Sequence, residues 1–272
     1  MRLLLGLTIL LLAAMPVRAQ ETAPTPAAMR GDYFFVSSTE IGRGFHIYVR
    51  YPEGYDPSAR RLYPTVYVTD GDSLFPMLAP VQLFLHYDDG LPEMLMVGIA
   101  YGGFDPSVNR RNIDFQTPGD GVEQAGAEAF QRFLVEELIP RIEARYRSDP
   151  QRRILFGQSR GGAFVLYSAV TDPDRFWGRI ASNPSITSGI ESLLSPAAPA
   201  TRRDLNLIVA SGTRDRTDLQ SEAALWLSDW EARPSRPWML HGVRIEGGTH
   251  AADAPAAYRQ GMARLFGQKP AL

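Results

Sequence analysis

The sequence contains no cysteine, so the protein can form neither disulfide bonds nor thiolate ligands for a metal. This absence excludes a cysteine nucleophile, a cysteine-ligated zinc ion and a lipid anchor on an N-terminal cysteine. Lysine is nearly absent too, since Lys269 is the only one, and the net charge is −2. Without a basic excess or a basic stripe, the chain lacks the signature of a protein that binds nucleic acid or an anionic membrane.

The sequence also lacks the closely spaced ligand pairs that are typical of metal sites, such as H-x-x-x-H. Asp70, Asp72 and Asp114 could line a cation site, but nothing in their spacing demands one. We therefore expect neither a metal nor another cofactor. The chain has four histidines: His46, His86, His241 and His250.

The N-terminal residues have the three-part pattern of a secretory signal peptide. A positive start at residues 1–2 precedes an apolar run over 3–15, and Val17, Arg18 and Ala19 form a small-x-small cleavage site. The run is shorter than the roughly 20 apolar residues of a spanning helix, and an uncleaved anchor is the alternative. We predict a signal peptide over 1–19, a flexible leader over 20–30 and a single domain over 31–268. An exported, disulfide-free protein without a stable membrane anchor is compatible with the bacterial periplasm.

Hydrophobic periodicity predicts an α/β architecture. Helical spacing covers residues 127–146, 163–170, 219–230 and 252–266, and Pro140 lies inside the first of these patterns. Strands that alternate with helices predict a mainly parallel sheet with helices on both faces. Residues 183–203 are the only sizeable candidate for a lid, so we expect little or no lid. Eight stretches have strand patterns: 33–37, 45–51, 63–69, 94–99, 153–156, 179–182, 205–211 and 238–245.

Residues 157–161 read G-Q-S-R-G, which matches the nucleophile motif G-x-S-x-G. A predicted strand enters the motif and a helix rich in small residues leaves it, which is the setting the motif requires. Gly157 and Gly161 allow a turn sharp enough to hold Ser159 at its tip, because they have no Cβ to collide with the strand and the helix. Ser159 is thus the predicted nucleophile. The alternative is a tight β–α turn with an incidental serine.

A serine hydroxyl needs an adjacent base, and in hydrolases with this elbow the order along the chain is serine, acid, histidine. His250 follows the last predicted strand and is the predicted base, whereas His241 lies inside that strand. Asp215 follows strand 205–211 and is the predicted acid. Asp218 is the second candidate, although it is better placed to cap the next helix, and Glu222 is the third.

Two backbone amides are expected to form an oxyanion hole. The residue after the nucleophile supplies the Arg160 amide, and the turn at residues 70–72 is the natural source of a second one, the amide of Asp72. Arg110 and Arg111 could bind an acidic substrate at the mouth of the site. Arg111 could equally be an ion-pair partner of Asp114.

Several segments of the chain carry a family resemblance: residues 63–67 and 70–72, 111–118, 136–140, the serine motif, 181–185 and the acid loop 212–215. Together they resemble one esterase family of α/β-hydrolases, which includes enterochelin esterases, feruloyl esterases, S-formylglutathione hydrolase and mycolyltransferases. The resemblance covers about residues 31–266, and the periplasmic enterochelin-esterase-like branch is the most similar. It implies the α/β-hydrolase fold and hydrolysis of a small ester, such as a siderophore or a feruloyl or acetyl carbohydrate ester.

The resemblance leaves alternatives open. Some siderophore-esterase relatives are thought to use a Ser–His pair without an acid, which would leave Asp215 with no catalytic role. An acyltransferase or a peptidase could share the fold. The alternative outside the enzymes is a binding protein that has the fold but no catalytic activity. Nothing in the sequence indicates an oligomeric state.

Overall fold

The computed structural model describes residues 25–119, 121–186 and 189–267. The predicted signal peptide and residues 20–24 of the predicted leader lie outside the described residues. Within those residues, no helix has both the length and the apolar character needed to cross a membrane.

The described residues are organised around an eight-stranded sheet, which confirms the prediction of a mainly parallel sheet. Every predicted strand is present: Gly31–Ser37 (β1), Gly44–Arg50 (β2), Tyr63–Val68 (β3), Leu95–Ala100 (β4), Ser148–Gln158 (β5), Gly178–Ser182 (β6), Asn206–Gly212 (β7) and Met239–Ile245 (β8). The strand order is β1-β2-β4-β3-β5-β6-β7-β8. Only the pairs β1–β2 and β2–β4 are antiparallel, and all the others are parallel.

Helices cover both faces of the sheet, as predicted. Two helices, Leu74–Asp89 (α1) and Ala254–Leu265 (α8), pack with one apolar cluster. Four others pack with the second cluster: Ala127–Arg132 (α3), Ile139–Arg145 (α4), Arg160–Thr171 (α5) and Thr217–Ala232 (α7). Because each face is covered, β4 and β6 are buried along their whole length and β5 is buried from Ile154 onward. The sequence of β4 is accordingly a continuous apolar run. The remaining α-helices of the described residues are Arg111–Asp114 (α2) and Ile190–Leu193 (α6).

Two of the longer helical regions differ from the sequence prediction, and the single-turn helices α2 and α6 were not predicted either. The α1 helix was not predicted, because Pro76 and Pro80 interrupt its pattern. Its start at Leu74 places Pro76 in the first turn, where a missing N–H costs nothing. The predicted helix over 127–146 is divided by a π-helical turn at Phe133–Leu138. Pro140 follows directly, and because the helical segment continues through it from Phe133–Leu138 into α4, its missing amide removes one hydrogen bond from the ladder.

The candidate lid, residues 183–203, is anchored to the body of the protein in its described part. Leu193 at the end of α6 is fully buried. Its carbonyl accepts hydrogen bonds from the indole N–H groups of Trp226 and Trp230, both at 3.0 Å. These two bonds tie the segment to helix α7, in agreement with the expectation of little or no lid.

Candidate active site

Ser159 stands at a strained turn between β5 and α5. Its backbone angles are φ 60° and ψ −119°, a region that residues with a side chain rarely adopt. The turn is crowded on both sides. A Cβ on Gly157 would lie 2.2 Å from the Gly161 carbonyl oxygen, and one on Gly161 would lie 2.6 Å from Thr69 Oγ1. The two glycines of the motif are therefore required by the close approach of β5, α5 and the end of β3.

The structure brings Ser159, His250 and Asp215 together from three loops at the carboxyl edge of the sheet. Ser159 Oγ lies 2.9 Å from His250 Nε2. Both carboxylate oxygens of Asp215 lie 3.0 Å from His250 Nδ1. An ionised carboxylate can only accept, so Nδ1 carries the imidazole proton and Nε2 is left to accept from the serine hydroxyl.

Asp215 is the carboxylate that reaches His250, and the other two candidates lie on helix α7. Asp215 is buried and also accepts the Arg216 amide at 2.6 Å. Asp218 is exposed and pairs with the Arg216 guanidinium, whose hydrogen bond lowers the pKa of Asp218. The expectation that Asp218 caps the helix is wrong: Arg216 occupies the N-cap position and Asp218 is the second helical residue. Glu222 lies one turn further along.

Two other histidines lie on strands, where the sequence predicted them. His241 stands on β8, and burial lowers its pKa, with a smaller contribution from the positive charge of Arg264. His46 stands on β2 and forms a hydrogen bond with the Tyr33 hydroxyl at 2.8 Å.

Of the two residues whose amides are predicted to form an oxyanion hole, Arg160 directly follows Ser159 and Asp72 lines the same cavity as Ser159. Arg160 is the first residue of α5, so its amide has no partner inside the helix. Asp72 follows β3 and lines the same cavity as Ser159. Its carboxylate accepts the amides of Tyr101 at 2.7 Å and Gly102 at 2.9 Å, which fixes the turn that carries the Asp72 amide. Within the described residues, neither the Arg160 nor the Asp72 amide donates a hydrogen bond to the protein.

Arg111 has a different partner from the one the sequence suggested. Its guanidinium forms a two-pronged ion pair with Asp70, at 2.7 and 3.0 Å, and not with Asp114. Asp114 instead pairs with Arg43 and accepts the Tyr101 hydroxyl at 2.9 Å. Burial raises the pKa of Asp70, and the Arg111 guanidinium counteracts that rise. Arg111 therefore forms a structural ion pair with Asp70 at the base of the site.

A cavity of about 430 Å³ opens onto Ser159 and His250. Its walls combine apolar side chains with polar ones, and Phe104 at its edge is 72% exposed. Arg111 contributes to the wall, whereas Arg110 does not and stands at the N-cap position of α2. Arg110 is thus not among the residues that line this cavity, and its contact with the substrate stays a prediction. The remaining lining residues are Asp70, Asp72, Ser73, Leu74, Met77, Asn109, Gln158 and Ala251.

A buried polar network behind His250 was not predicted from the sequence. The Asn183 amide nitrogen donates to the His250 carbonyl at 2.9 Å and to Asp253 Oδ1 at 2.7 Å. Its amide oxygen accepts the Gly212 N–H at 2.7 Å, at the end of the strand that leads to Asp215. The Gln158 amide also donates to the His250 carbonyl. The one sequence signal that pointed here is the place of Asn183 within the motif at 181–185; in the structure its φ is positive, 40°.

Metal ligands are not grouped in the described parts of the chain: no cluster of three or more His, Asp or Glu side chains could hold an ion there. Asp70, Asp72 and Asp114 each have a separate partner, as described above, and do not converge on one point.

Comparison with known proteins adds a family and a fold. A sequence model of the family described as "Putative esterase" matches residues 38–244. Ferri-bacillibactin esterase BesA of Bacillus subtilis is 36% identical over 166 residues, which cover 56% of this chain and 57% of that protein. The apo-salmochelin esterase of Escherichia coli is 27% identical over 170 residues, which cover 58% and 52%. The alignments thus span little more than half the length of these curated relatives.

Solved structures cover more of the chain. The BES protein from Bacillus cereus has a TM-score of 0.75 at 21% identity, covering 92% of this chain and 98% of that structure. The siderophore hydrolase EstA from Aspergillus nidulans has a TM-score of 0.74 at 21% identity, with the same coverage. At such identities the likeness concerns the fold alone, and it confirms the α/β-hydrolase fold.

Proposed function

The chain belongs to the esterase family whose sequence model it matches, and from that membership we propose that it is a serine carboxylic-ester hydrolase acting on a siderophore-type ester. One observation carries the proposal. Ser159 Oγ, His250 Nε2 and Asp215 stand in an unbroken hydrogen-bonded line, at 2.9 and 3.0 Å, beside a cavity of substrate size. This is the arrangement that turns a weak hydroxyl nucleophile into a reactive one.

In the first half of the reaction, His250 Nε2 takes the hydroxyl proton while Ser159 Oγ attacks the ester carbonyl carbon. The carbonyl electron pair moves onto oxygen and gives a tetrahedral intermediate. The intermediate collapses as His250 returns the proton to the alkoxy group, which leaves as an alcohol. In the second half, a water molecule attacks the carbonyl carbon of the acyl-enzyme while His250 accepts one of its protons. The second tetrahedral intermediate then collapses: the bond to Ser159 Oγ breaks, the acid leaves, and His250 returns the proton to Oγ.

Asp215 supports each proton transfer from the far side of the imidazole. Its carboxylate accepts the Nδ1 proton, which keeps Nε2 free to act as the base and stabilises the imidazolium that forms. The amides of Arg160 and Asp72 are the donors for the developing oxyanion. The start of α5 adds the partial positive charge of its helix dipole next to Ser159.

The substrate class rests on the relatives. Ferri-bacillibactin esterase and apo-salmochelin esterase act, by their names, on siderophores. A siderophore ester is therefore favoured over a carbohydrate ester for this chain. We place the reaction outside the cytoplasm, most simply in a bacterial periplasm, because residues 1–19 have the pattern of an export signal.

The test uses a cyclic catecholate triester of the enterobactin or bacillibactin type, with a feruloyl ester and acetylated xylan as comparison substrates. The purified protein should open the triester, with products followed by chromatography and mass, and Ser159→Ala should not. Efficient cleavage of the carbohydrate esters with no cleavage of the triester would contradict the siderophore assignment. No Ser159-dependent cleavage of any ester would contradict the hydrolase assignment itself.

A further inference from the structure

We propose that the side chain of Arg160 forms a binding subsite for a negatively charged group of the substrate, so that the enzyme favours esters carrying a carboxylate a few bonds from the scissile carbonyl. This inference rests on the proposed hydrolase function and adds a charge preference to it. It moves the contact with an acidic substrate from Arg110 and Arg111, where the sequence suggested it, to the residue directly after the nucleophile.

The Arg160 guanidinium is half-buried and has no acidic partner in the described residues. Its one hydrogen bond is to the neutral side chain of Gln116, at 3.1 Å. Burial lowers the pKa of Arg160, and the positive charge of Arg111 lowers it further, with no carboxylate acting in the other direction. A guanidinium removed from water without a counter-charge is costly, and a bound anion relieves that cost.

The arginines that neighbour Arg160 are already neutralised by carboxylates. Arg111 forms its ion pair with Asp70, and Arg216 forms one with Asp218. Each of these guanidinium groups is paired with a carboxylate, so neither contributes an uncompensated positive charge. Arg160 therefore carries the uncompensated charge next to Ser159.

The surroundings of Arg160 have the size and polarity of a site for a small anion. Arg160, Gln116, Ser185 and Arg216 line a separate cavity of about 200 Å³, which has mostly polar walls. The amide of Ser185 donates to the Ser159 carbonyl at 3.1 Å, so the cavity begins beside the backbone of the nucleophile. Its size suits a carboxylate group and its walls supply donors for one, whereas the larger cavity at Ser159 has a more apolar lining.

The test is a series of three activated esters that differ only in charge at the end of a six-carbon acyl chain: 4-nitrophenyl hydrogen adipate, 4-nitrophenyl hexanoate and 4-nitrophenyl 6-aminohexanoate. All three release the same leaving group, so a difference in kcat/KM reports on the acyl chain. We expect the wild type to cleave the anionic ester roughly tenfold more efficiently than the neutral one, the size of a charge-assisted hydrogen bond at a half-exposed site, and the cationic ester least well. The ratio should fall at high salt.

Variants then test whether Arg160 causes the preference for the anionic ester. Arg160→Gln should reduce the ratio of anionic to neutral kcat/KM to about one, and Arg160→Lys should keep part of it because the charge remains. Arg203→Gln is the matched control, since it removes the same charge from an exposed position and should leave the ratio unchanged. Equal cleavage of the anionic and neutral esters by the wild type would overturn the subsite, as would a preference that survives in Arg160→Gln. If the wild type cleaves none of the three esters, the hydrolase assignment fails first, which separates the two outcomes.

Discussion

Both carboxylate oxygens of Asp215 lie 3.0 Å from Nδ1 of His250. The carboxyl group therefore faces the imidazole edge symmetrically, and either oxygen can accept the Nδ1 proton. The group is almost completely buried, whereas the imidazole is about one third exposed towards the cavity. This pairing favours a full triad over the Ser–His pair that the sequence left open.

The role of Asp215 is tested by removing its charge. Asp215→Asn should lower kcat by at least about 10²-fold, because the amide no longer fixes the imidazole tautomer or stabilises the imidazolium. Asp218→Asn is the matched control, since Asp218 is exposed and faces Arg216 instead of His250. It should keep near-normal kcat on the same activated ester. Normal turnover in Asp215→Asn would show that His250 works as a pair with Ser159 alone.

The network behind His250 predicts a positioning role for Asn183. Asn183→Ala removes the donor to the His250 carbonyl and leaves the Gly212 amide and Asp253 without their partner. We expect a loss of about 2–3 kcal/mol in the free energy of unfolding, from buried groups left unsatisfied, together with a roughly tenfold fall in kcat with little change in KM.

Asn206→Ala is the control for Asn183. Asn206 is also a buried asparagine, but it lies at the start of β7, at the opposite end of the strand from Gly212. Its amide donates to the Asp204 carbonyl at 2.8 Å. The control should lose stability and keep kcat. If the two variants lose stability equally and neither loses turnover, Asn183 has only a structural role.

The raised pKa of Asp253 predicts how the stability of the protein depends on pH. Burial raises the pKa of its carboxyl, and the negative charge of Asp215 raises it further. An acid whose pKa is higher in the folded state than in the unfolded state favours folding below its unfolded pKa of about 4 and loses that contribution as the pH rises through the folded pKa.

Asp253→Asn keeps an acceptor for the Asn183 amide and cannot ionise. The free energy of unfolding of the variant should therefore rise relative to the wild type as the pH increases from about 4 to the raised pKa of folded Asp253. Urea unfolding at a series of pH values measures the difference. A difference that stays constant across this range would contradict a raised pKa for Asp253.

Activity should not depend on a metal. The mechanism uses Ser159, His250, Asp215 and backbone amides, and it needs no Lewis acid. We expect turnover of 4-nitrophenyl acetate to persist after dialysis against EDTA. A loss of activity that a divalent ion restores would contradict this expectation and would call for a carboxylate site outside the described residues.

The sequence predicted all eight strands because their patterns are local: buried parallel strands are continuous apolar runs, and edge strands alternate. It predicted that Ser159, Asp215 and His250 would meet, because each follows a strand and parallel strands end at one edge of the sheet. The α1 helix was missed, since Pro76 and Pro80 are ordinarily signs of a helix boundary.

The partners of charged and polar side chains could not be predicted in the same way. Arg111 lies close to Asp114 in the sequence, yet it pairs with Asp70, which is 41 positions away. Asn183 contacts His250 across the ends of β6, β7 and β8, and those contacts exist only once the strands are in register. Such pairings depend on tertiary geometry, which periodicity and motif spacing do not encode.

The most direct test of the central claim is covalent labelling of the nucleophile. A fluorophosphonate probe should react with one residue of the folded protein, Ser159, located by mass spectrometry of the digested adduct. Labelling should disappear in Ser159→Ala, while that variant keeps its fold and loses roughly 10³-fold or more in kcat on an activated ester. Labelling at another residue, or full activity in Ser159→Ala, would contradict the account.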